Sequence, residues 1–120
     1  MSIQDIWDFL LEFKQAATGG SGVDIVPRNE TRATLGLLGL TKPDLELLLL
    51  NLSIVNYCNG PESDHDRPGK VWMFGMQIQD REIYIKLKVT QVGKTKIAKC
   101  ISFHIAQHPM KYPHRHKECK

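Results

Sequence analysis

The chain has 120 residues, of which 42% are hydrophobic and 24% charged, and its formal net charge is +3; these values are ordinary for one soluble domain with a modest core. The first residues are acidic and amphipathic and lack the basic and apolar regions of a signal peptide, so we expect a cytoplasmic protein. The leucine-rich stretch 45–52 is too short to span a bilayer, so we expect no membrane partner.

The N-terminal quarter predicts a helix and a short strand. Ser2 and Asp5 form a capping-box pattern, and the apolar residues that follow recur at helical spacing to about Ala17. The glycine-rich run 18–22 ends this helix. Residues 23–26 then predict a short edge strand, closed by Pro27.

Two further helices and a loop follow. Asn29 is the predicted N-cap of a helix through Leu38, which Gly39 ends. Thr41 with Asp44 forms a second capping box, and the helix after it buries one apolar stripe, formed by Leu45, Leu48, Leu49 and Leu52. Residues 59–69 are polar and rich in Gly, Pro and Asp, which predicts a loop.

Three strands in quick succession form the predicted sheet. Each predicted strand alternates apolar side chains on one face with polar ones on the other; the strands cover residues 71–78, 83–90 and 96–105. Strict alternation is typical of an antiparallel meander with one face on the core and one in water. We therefore predict an α+β fold with N-terminal helices packed on a small antiparallel β-sheet, forming one domain over residues 1–106. Residues 107–120 form a basic tail rich in His and Lys that we expect to be partly flexible.

The hairpin between the second and third strands defines a polar face. A turn at residues 93–95 with Val92 opposite Lys96 matches the apolar faces of both strands, and a one-residue slip would bury charges. This register puts Tyr84 opposite His104, with Leu87 opposite Ile101. The polar face then carries five side chains, Tyr84, Lys86, Lys88, Ser102 and His104.

The charge is concentrated at the C-terminal end. Residues 1–80 contain 6 Lys and Arg against 11 Asp and Glu, whereas residues 81–120 contain 10 against 2, so the two parts carry −5 and +8. A concentrated positive field is typical of proteins that bind the phosphate backbone of nucleic acids. A solvated basic surface without that role has the same composition, and both interpretations stay open. If RNA binds, the expected contacts beyond the polar face include Lys99 and Lys111.

The polar face has the side chains that RNA cleavage requires. Attack of a 2′-hydroxyl on the adjacent phosphate needs a base, a cation that stabilises the phosphorane, and an acid for the leaving 5′-oxygen. Histidine changes charge near neutral pH and can serve as acid or base, and lysine supplies positive charge. Tyrosine can stack on a base or donate to phosphate. Each of these residues is also common on a solvated strand.

The predicted loop and the tail contain further candidates. In the run Asp64-His65-Asp66-Arg67, the guanidinium of Arg67 suits a phosphate, and the alternative is a solvated turn in which Asp side chains bond local N–H groups. The histidines of the tail together with Cys119 have no recognised zinc spacing, so we expect no metal site. Three cysteines without metal-type spacing favour reduced thiols.

Several segments, taken in order, resemble the MqsR family of toxins from type II toxin–antitoxin systems, a branch of the RelE-like mRNA interferases. The best matches are Tyr84-Ile85-Lys86-Leu87-Lys88 and Cys100-Ile101-Ser102-Phe103-His104. Others are Thr31-Arg32-Ala33 with Leu38-Gly39-Leu40, Asn51-Leu52-Ser53 leading to Asn56-Tyr57-Cys58, and Trp72. The resemblance covers roughly residues 28–112.

The resemblance implies a RelE-like fold, an antitoxin partner and metal-independent cleavage of mRNA without a cofactor. The family's catalytic tyrosine falls on Tyr84, and the family's lysine in the last strand falls on His104. Lys86 and Arg67 complete the expected catalytic set, and Lys88, His65, Lys99 and Lys111 are expected to bind RNA.

Two positions depart from the family pattern. Better-known members carry a lysine where this chain has Cys58 and a glutamine where it has Met73, and Arg67 and His65 are the candidates to replace them. The alternative function is therefore a RelE-like nucleic-acid-binding or regulatory protein without catalysis.

Overall fold

The computed structural model describes residues 1–115 and consists of three α-helices and a five-stranded mixed sheet. In chain order the elements are α1 (Ile3–Thr18), β1 (Asp24–Ile25), α2 (Asn29–Leu38), α3 (Lys42–Leu50), a 3₁₀ turn (Ile54–Asn56), β2 (Tyr57–Ser63), β3 (Lys70–Ile78), β4 (Arg81–Val92) and β5 (Thr95–Ile105). This confirms the α+β class. No helix among residues 1–115 combines the length and apolarity needed to cross a bilayer.

Local capping sets the helix starts. The Oγ atom of Ser2 accepts a hydrogen bond from the backbone N–H of Asp5 (3.1 Å), and Thr41 and Asp44 form the predicted reciprocal capping box. The prediction of Asn29 as N-cap is wrong by one residue. Arg28 holds that position with an extended backbone and without a side-chain cap, and its N–H donates to the Val26 carbonyl (2.9 Å).

The strand order is β1-β5-β4-β3-β2. Strands β2 to β5 pair antiparallel, whereas β1 pairs parallel to β5 at Lys99 and Cys100. The predicted purely antiparallel sheet is thus a mixed one. The chain forms β1 between α1 and α2 and returns to its side only with the last strand, β5, which runs parallel to it.

The prediction of a loop over residues 59–69 is wrong for its first half. Residues 59–63 belong to β2, which pairs with β3 through two register shifts. An edge strand with bulges tolerates glycine, proline and polar side chains, which is why the composition resembled a loop. Only residues 64–69 remain as the connection, called here the β2–β3 loop.

The β4–β5 hairpin follows the predicted register at one end only. Tyr84 lies opposite His104, but Leu87 lies opposite Cys100 because one extra residue on β5 forms a bulge beside it. The turn shortens to two residues, with Val92 opposite Thr95. As a result the alternation of β5 changes face, and Ala98 and Cys100 are buried in the core, while Ile97 and Ile101 are only partly buried.

The core lies between the helices and one face of the sheet. Aromatic rings of α1 pack directly on β3, with Phe9 stacked on Trp72 at 4.7 Å between ring centroids. Burial of apolar surface of this kind is the main stabilising contribution in a domain of this size. The largest fully buried core side chains are Ile6, Phe13, Leu45, Leu49, Leu52, Phe74, Ile83, Ile85, Leu87 and Phe103.

Residues 107–115, called here the strap, return across the opposite, polar face of the sheet. The carboxylate of Glu82 accepts hydrogen bonds from the backbone N–H of Met110 (3.2 Å) and the hydroxyl of Tyr112 (3.0 Å). A Cβ at Gly75 would lie 2.6 Å from the Tyr112 hydroxyl, so this strand position has to be glycine for the strap to pack as closely as it does. These contacts hold Met110 and Tyr112 of the predicted tail against the sheet, and the flexibility of the tail stays a prediction. The rest of that prediction, including His116 and Cys119, lies outside the described residues.

Candidate functional site

A groove of about 640 Å³ lies between the strap and the part of the polar sheet face formed by residues 84–86 of β4 and 102–104 of β5. We call it the site groove. The strands supply its floor, and the strap supplies one wall. Its lining residues are Arg28, Glu30, Cys58, Asn59, Glu62, Met73, Tyr84, Lys86, Ser102, His104 and residues 106–111.

Tyr84 and His104 form the centre of the floor. They are directly opposite each other on β4 and β5, and their rings stack with 5.0 Å between centroids and 28° between planes. This confirms their predicted placement, side by side on the polar face. Stacking fixes the orientation of the imidazole without using a ring nitrogen.

A backbone carbonyl determines which nitrogen of His104 is available. Nδ1 lies 2.9 Å from the carbonyl oxygen of Ile105. A carbonyl only accepts hydrogen bonds, so in the neutral ring Nδ1 carries the hydrogen and Nε2 keeps its lone pair. His104 can therefore accept a proton at Nε2 from a ligand in the groove.

The hydroxyl of Tyr84 stays protonated at neutral pH. Burial raises the pKa of Tyr84, and the nearby carboxylate of Glu62 raises it further. A neutral phenol can donate a hydrogen bond to a phosphate oxygen, or a proton to an oxygen that is becoming negative.

Cations surround this pair. Lys86 lies opposite Ser102 in the same groove, and Arg28 and Lys111 line its sides. Within residues 1–115 none of these three cations forms an ion pair. Opposing charge comes from Glu30 and Glu62. The cations are thus available to an anionic ligand.

Cys58 and Met73 also line this groove. Burial raises the pKa of the Cys58 thiol to about 12, with Glu82 adding to the effect and Arg115 opposing it. Cys58 is therefore a neutral thiol at neutral pH and supplies no charge. Met73 is 5% exposed and makes part of the floor apolar.

The other predicted residues lie elsewhere. Arg67, Lys88 and Lys99 line a second groove of about 640 Å³, called here the loop groove, under the β2–β3 loop. His65 is exposed and is not among the residues that line either groove. The structure thus brings Tyr84, His104, Lys86 and Lys111 together, but separates Arg67 and His65 from them.

Lys88 is not available on the surface. It is only 3% exposed, and its ammonium donates to the Asp64 carboxylate at 2.7 Å. Lys99, on β5, pairs with Asp24 of the edge strand β1 at 3.0 Å. Both predicted RNA contacts are therefore already partnered within the chain, and Lys88 is covered by the loop.

The sequence interpretation missed two residues that shape the site. Glu82 anchors the strap, and its even spacing from Tyr84 along the strand already placed it on the polar face. Arg28 gave no such signal, because it lies between an edge strand and a helix and follows no periodicity.

Among residues 1–115, no group of three or more His, Cys, Asp or Glu side chains is arranged to hold a metal ion. The donor set of the site groove is instead suited to an anion. No family model, curated protein or solved structure matches this chain.

Proposed function

We propose that this protein is a RelE-like endoribonuclease, a cytoplasmic toxin of the MqsR type that cleaves single-stranded mRNA by metal-independent acid–base chemistry. The observation that carries the proposal is the stacked pair Tyr84 and His104 with Nε2 available, beside Lys86, which forms no ion pair within residues 1–115. Base, donor and cation thus line one groove of about 640 Å³.

In the proposed reaction Nε2 of His104 accepts the proton of the 2′-hydroxyl while the 2′-oxygen attacks the adjacent phosphorus. Lys86 stabilises the charge that develops on the phosphorane oxygens. The Tyr84 hydroxyl gives its proton to the leaving 5′-oxygen, and the protonated imidazole then returns a proton to the phenolate. The products are a 2′,3′-cyclic phosphate and a 5′-hydroxyl, with no proton gained or lost by the protein.

A second candidate function is a nucleic-acid-binding or regulatory protein that has the same fold and does not cleave. The neutral thiol of Cys58 and the buried Met73 favour it, because both stand where related toxins carry polar functional residues. Binding would then use the same cations without turnover.

The proposal includes a cognate antitoxin. The basic C-terminal third suggests that its contact region is acidic, with electrostatics speeding encounter. Co-expression with the cognate gene is expected to restore growth and to yield a complex that co-purifies. Co-expression that gives neither result counts against a toxin–antitoxin pair.

The direct test of function uses purified protein, a labelled mRNA and EDTA. We expect cleaved products that end in a 2′,3′-cyclic phosphate, and growth arrest with loss of mRNA when the gene is induced in cells. Binding without cleavage under these conditions would favour the second candidate, and neither binding nor cleavage would refute both.

A further inference from the structure

The loop groove continues the site groove along the same polar face of the sheet. Arg28, between β1 and α2, lines both grooves. On β4 the site groove includes Tyr84 and Lys86, and the loop groove includes Lys88 and residues 90–92. The two grooves are therefore adjacent segments of one surface.

We propose that the loop groove binds phosphates of the same single strand, on nucleotides several positions from the cleaved bond, with Arg67 and Arg28 as the binding residues. The identification of this ligand as single-stranded RNA rests on the proposed function. Arg67 is then a substrate-binding residue and not a member of the catalytic set.

The loop that carries Arg67 is held firmly on the sheet. The buried ammonium of Lys88 binds Asp64 beneath it, and the N–H of Asp64 donates to the Gly69 carbonyl at 3.0 Å. The other side of the same carboxylate accepts from the Asp66 N–H at 3.0 Å. Because both ends of the loop are tied together and to β4, Arg67 projects from a fixed support.

The charges of the loop groove leave two arginines without partners. Lys88 and Lys99 are matched by Asp64 and Asp24 within the chain. Among residues 1–115 Arg28 and Arg67 form no ion pair, and Asp66 is the one further carboxylate in the lining. A guanidinium suits a phosphate because its planar donors match two oxygens at once.

The dimensions suit a short strand. From Tyr84 to Thr90 is six residues, or about 20 Å along an antiparallel strand. A strand stacked as in a duplex advances ~3.4 Å per nucleotide, so about six nucleotides connect the catalytic pair with Thr90 in the loop groove. An octanucleotide reaches both grooves, whereas a trinucleotide reaches one.

The test measures binding of 2′-O-methyl oligonucleotides, which have no attacking hydroxyl and cannot be cleaved. Fluorescence anisotropy gives the affinities of an octamer and a trimer for the native protein and for Arg67→Ala, Arg28→Ala and Arg81→Ala. Arg81 is an exposed cation that lines neither groove and serves as the matched control.

We expect the octamer to bind one to one. Arg67→Ala should weaken it by about tenfold, the usual effect of losing one charge-assisted contact, and should lower the log–log salt slope by about 0.7. The ratio of octamer to trimer affinity should fall in this variant. Arg28→Ala, which removes a cation that lines both grooves, should weaken binding of both probes, and Arg81→Ala should leave both affinities unchanged.

An unchanged ratio of octamer to trimer affinity in Arg67→Ala would overturn the proposal. Octaglutamate that binds more tightly than the octamer, and whose binding also depends on Arg67, would overturn it too, because that result would indicate an acidic protein ligand. Since the probes cannot be cleaved, the result is independent of catalysis. If the native protein binds the octamer as expected but cleaves no RNA, the proposed endoribonuclease activity is refuted, and the proposal that the loop groove binds phosphates is supported.

Discussion

At the scale of single residues, the chemistry of the site groove depends on which groups are charged. Cys58 lies half-buried in the groove, and Cys100 is enclosed in the core below it. Burial raises the pKa of each thiol to about 12. Both side chains behave as small neutral groups, so the Lys and Arg side chains that line the groove and supply its positive charge are Lys86, Arg28 and Lys111.

These raised pKa values predict slow alkylation, since the thiolate is the reacting species. In a Cys119→Ser variant, which leaves Cys58 and Cys100, labelling by iodoacetamide at pH 8 should be more than about tenfold slower than labelling of glutathione. Mass spectrometry of timed samples gives the rates, and a urea-unfolded sample is the control. Labelling of the native protein at the speed of glutathione would contradict the raised pKa values.

At the scale of elements, the β2–β3 loop and the strap shape the two grooves, and each depends on one acidic residue. The ammonium of Lys88 and the backbone N–H of Asp66 lower the pKa of Asp64 from 3.8 to about 2. The ionised carboxylate therefore stabilises the fold. Its contribution is complete above about pH 4 and is lost as the pH falls through about 2.

Asp64→Asn should consequently lower the melting temperature at pH 7, because it leaves the buried ammonium of Lys88 without a counter-ion. The difference from the native protein should shrink between pH 4 and pH 2, as the native carboxylate becomes protonated. Circular dichroism melts at pH 7, 4 and 2 measure it. Asp66→Asn, in the same loop but without an ion pair, should show little difference at any pH. An equal difference in melting temperature between Asp64→Asn and the native protein at pH 7 and at pH 2 would be inconsistent with the ion pair.

The strap depends on Glu82 in a similar way. Burial and the hydrogen bond to Glu82 raise the pKa of Tyr112 to about 12. Glu82→Ala removes the acceptor of two hydrogen bonds and should release the strap, so that trypsin cleaves after Lys111 and Arg115 faster than in the native protein. Glu30→Ala removes a carboxylate from the same groove without touching the strap and should leave the digestion rate unchanged. Equal rates in Glu82→Ala and the native protein would contradict anchoring by Glu82.

At the scale of the whole molecule, periodicity and capping were enough to predict three helices, the meander and the pairing of Tyr84 with His104. Periodicity and capping did not predict the structure where the local composition indicates one element and strand pairing in the folded chain produces another. Residues 59–63 resemble a loop and form a bulged edge strand, and one extra residue near Ile101 moves Cys100 from the predicted polar face into the core. The strap was missed because its contacts with Glu82 and Gly75 are long-range, and no sequence pattern encodes them.

The same limits apply to the site. Residues on one strand face could be grouped from sequence, as Tyr84, Lys86 and His104 were. Lys88 shares that face by alternation, but the loop folds over it, and burial by a loop is not visible in a strand pattern. Arg67 could not be located, because the position of its loop depends on that buried ion pair.

The most direct measurement is the cleavage rate of His104→Ala on a single-stranded RNA, compared with the native protein and with His108→Ala. His108 lines the same groove from the strap but lies outside the stacked pair, and it is the matched histidine control. Loss of the imidazole that accepts the 2′-hydroxyl proton should reduce the rate by about 10²-fold or more, and Tyr84→Phe should also reduce it, while His108→Ala stays close to native. His104→Ala that folds normally and cleaves at the native rate would contradict the assignment of the catalytic pair.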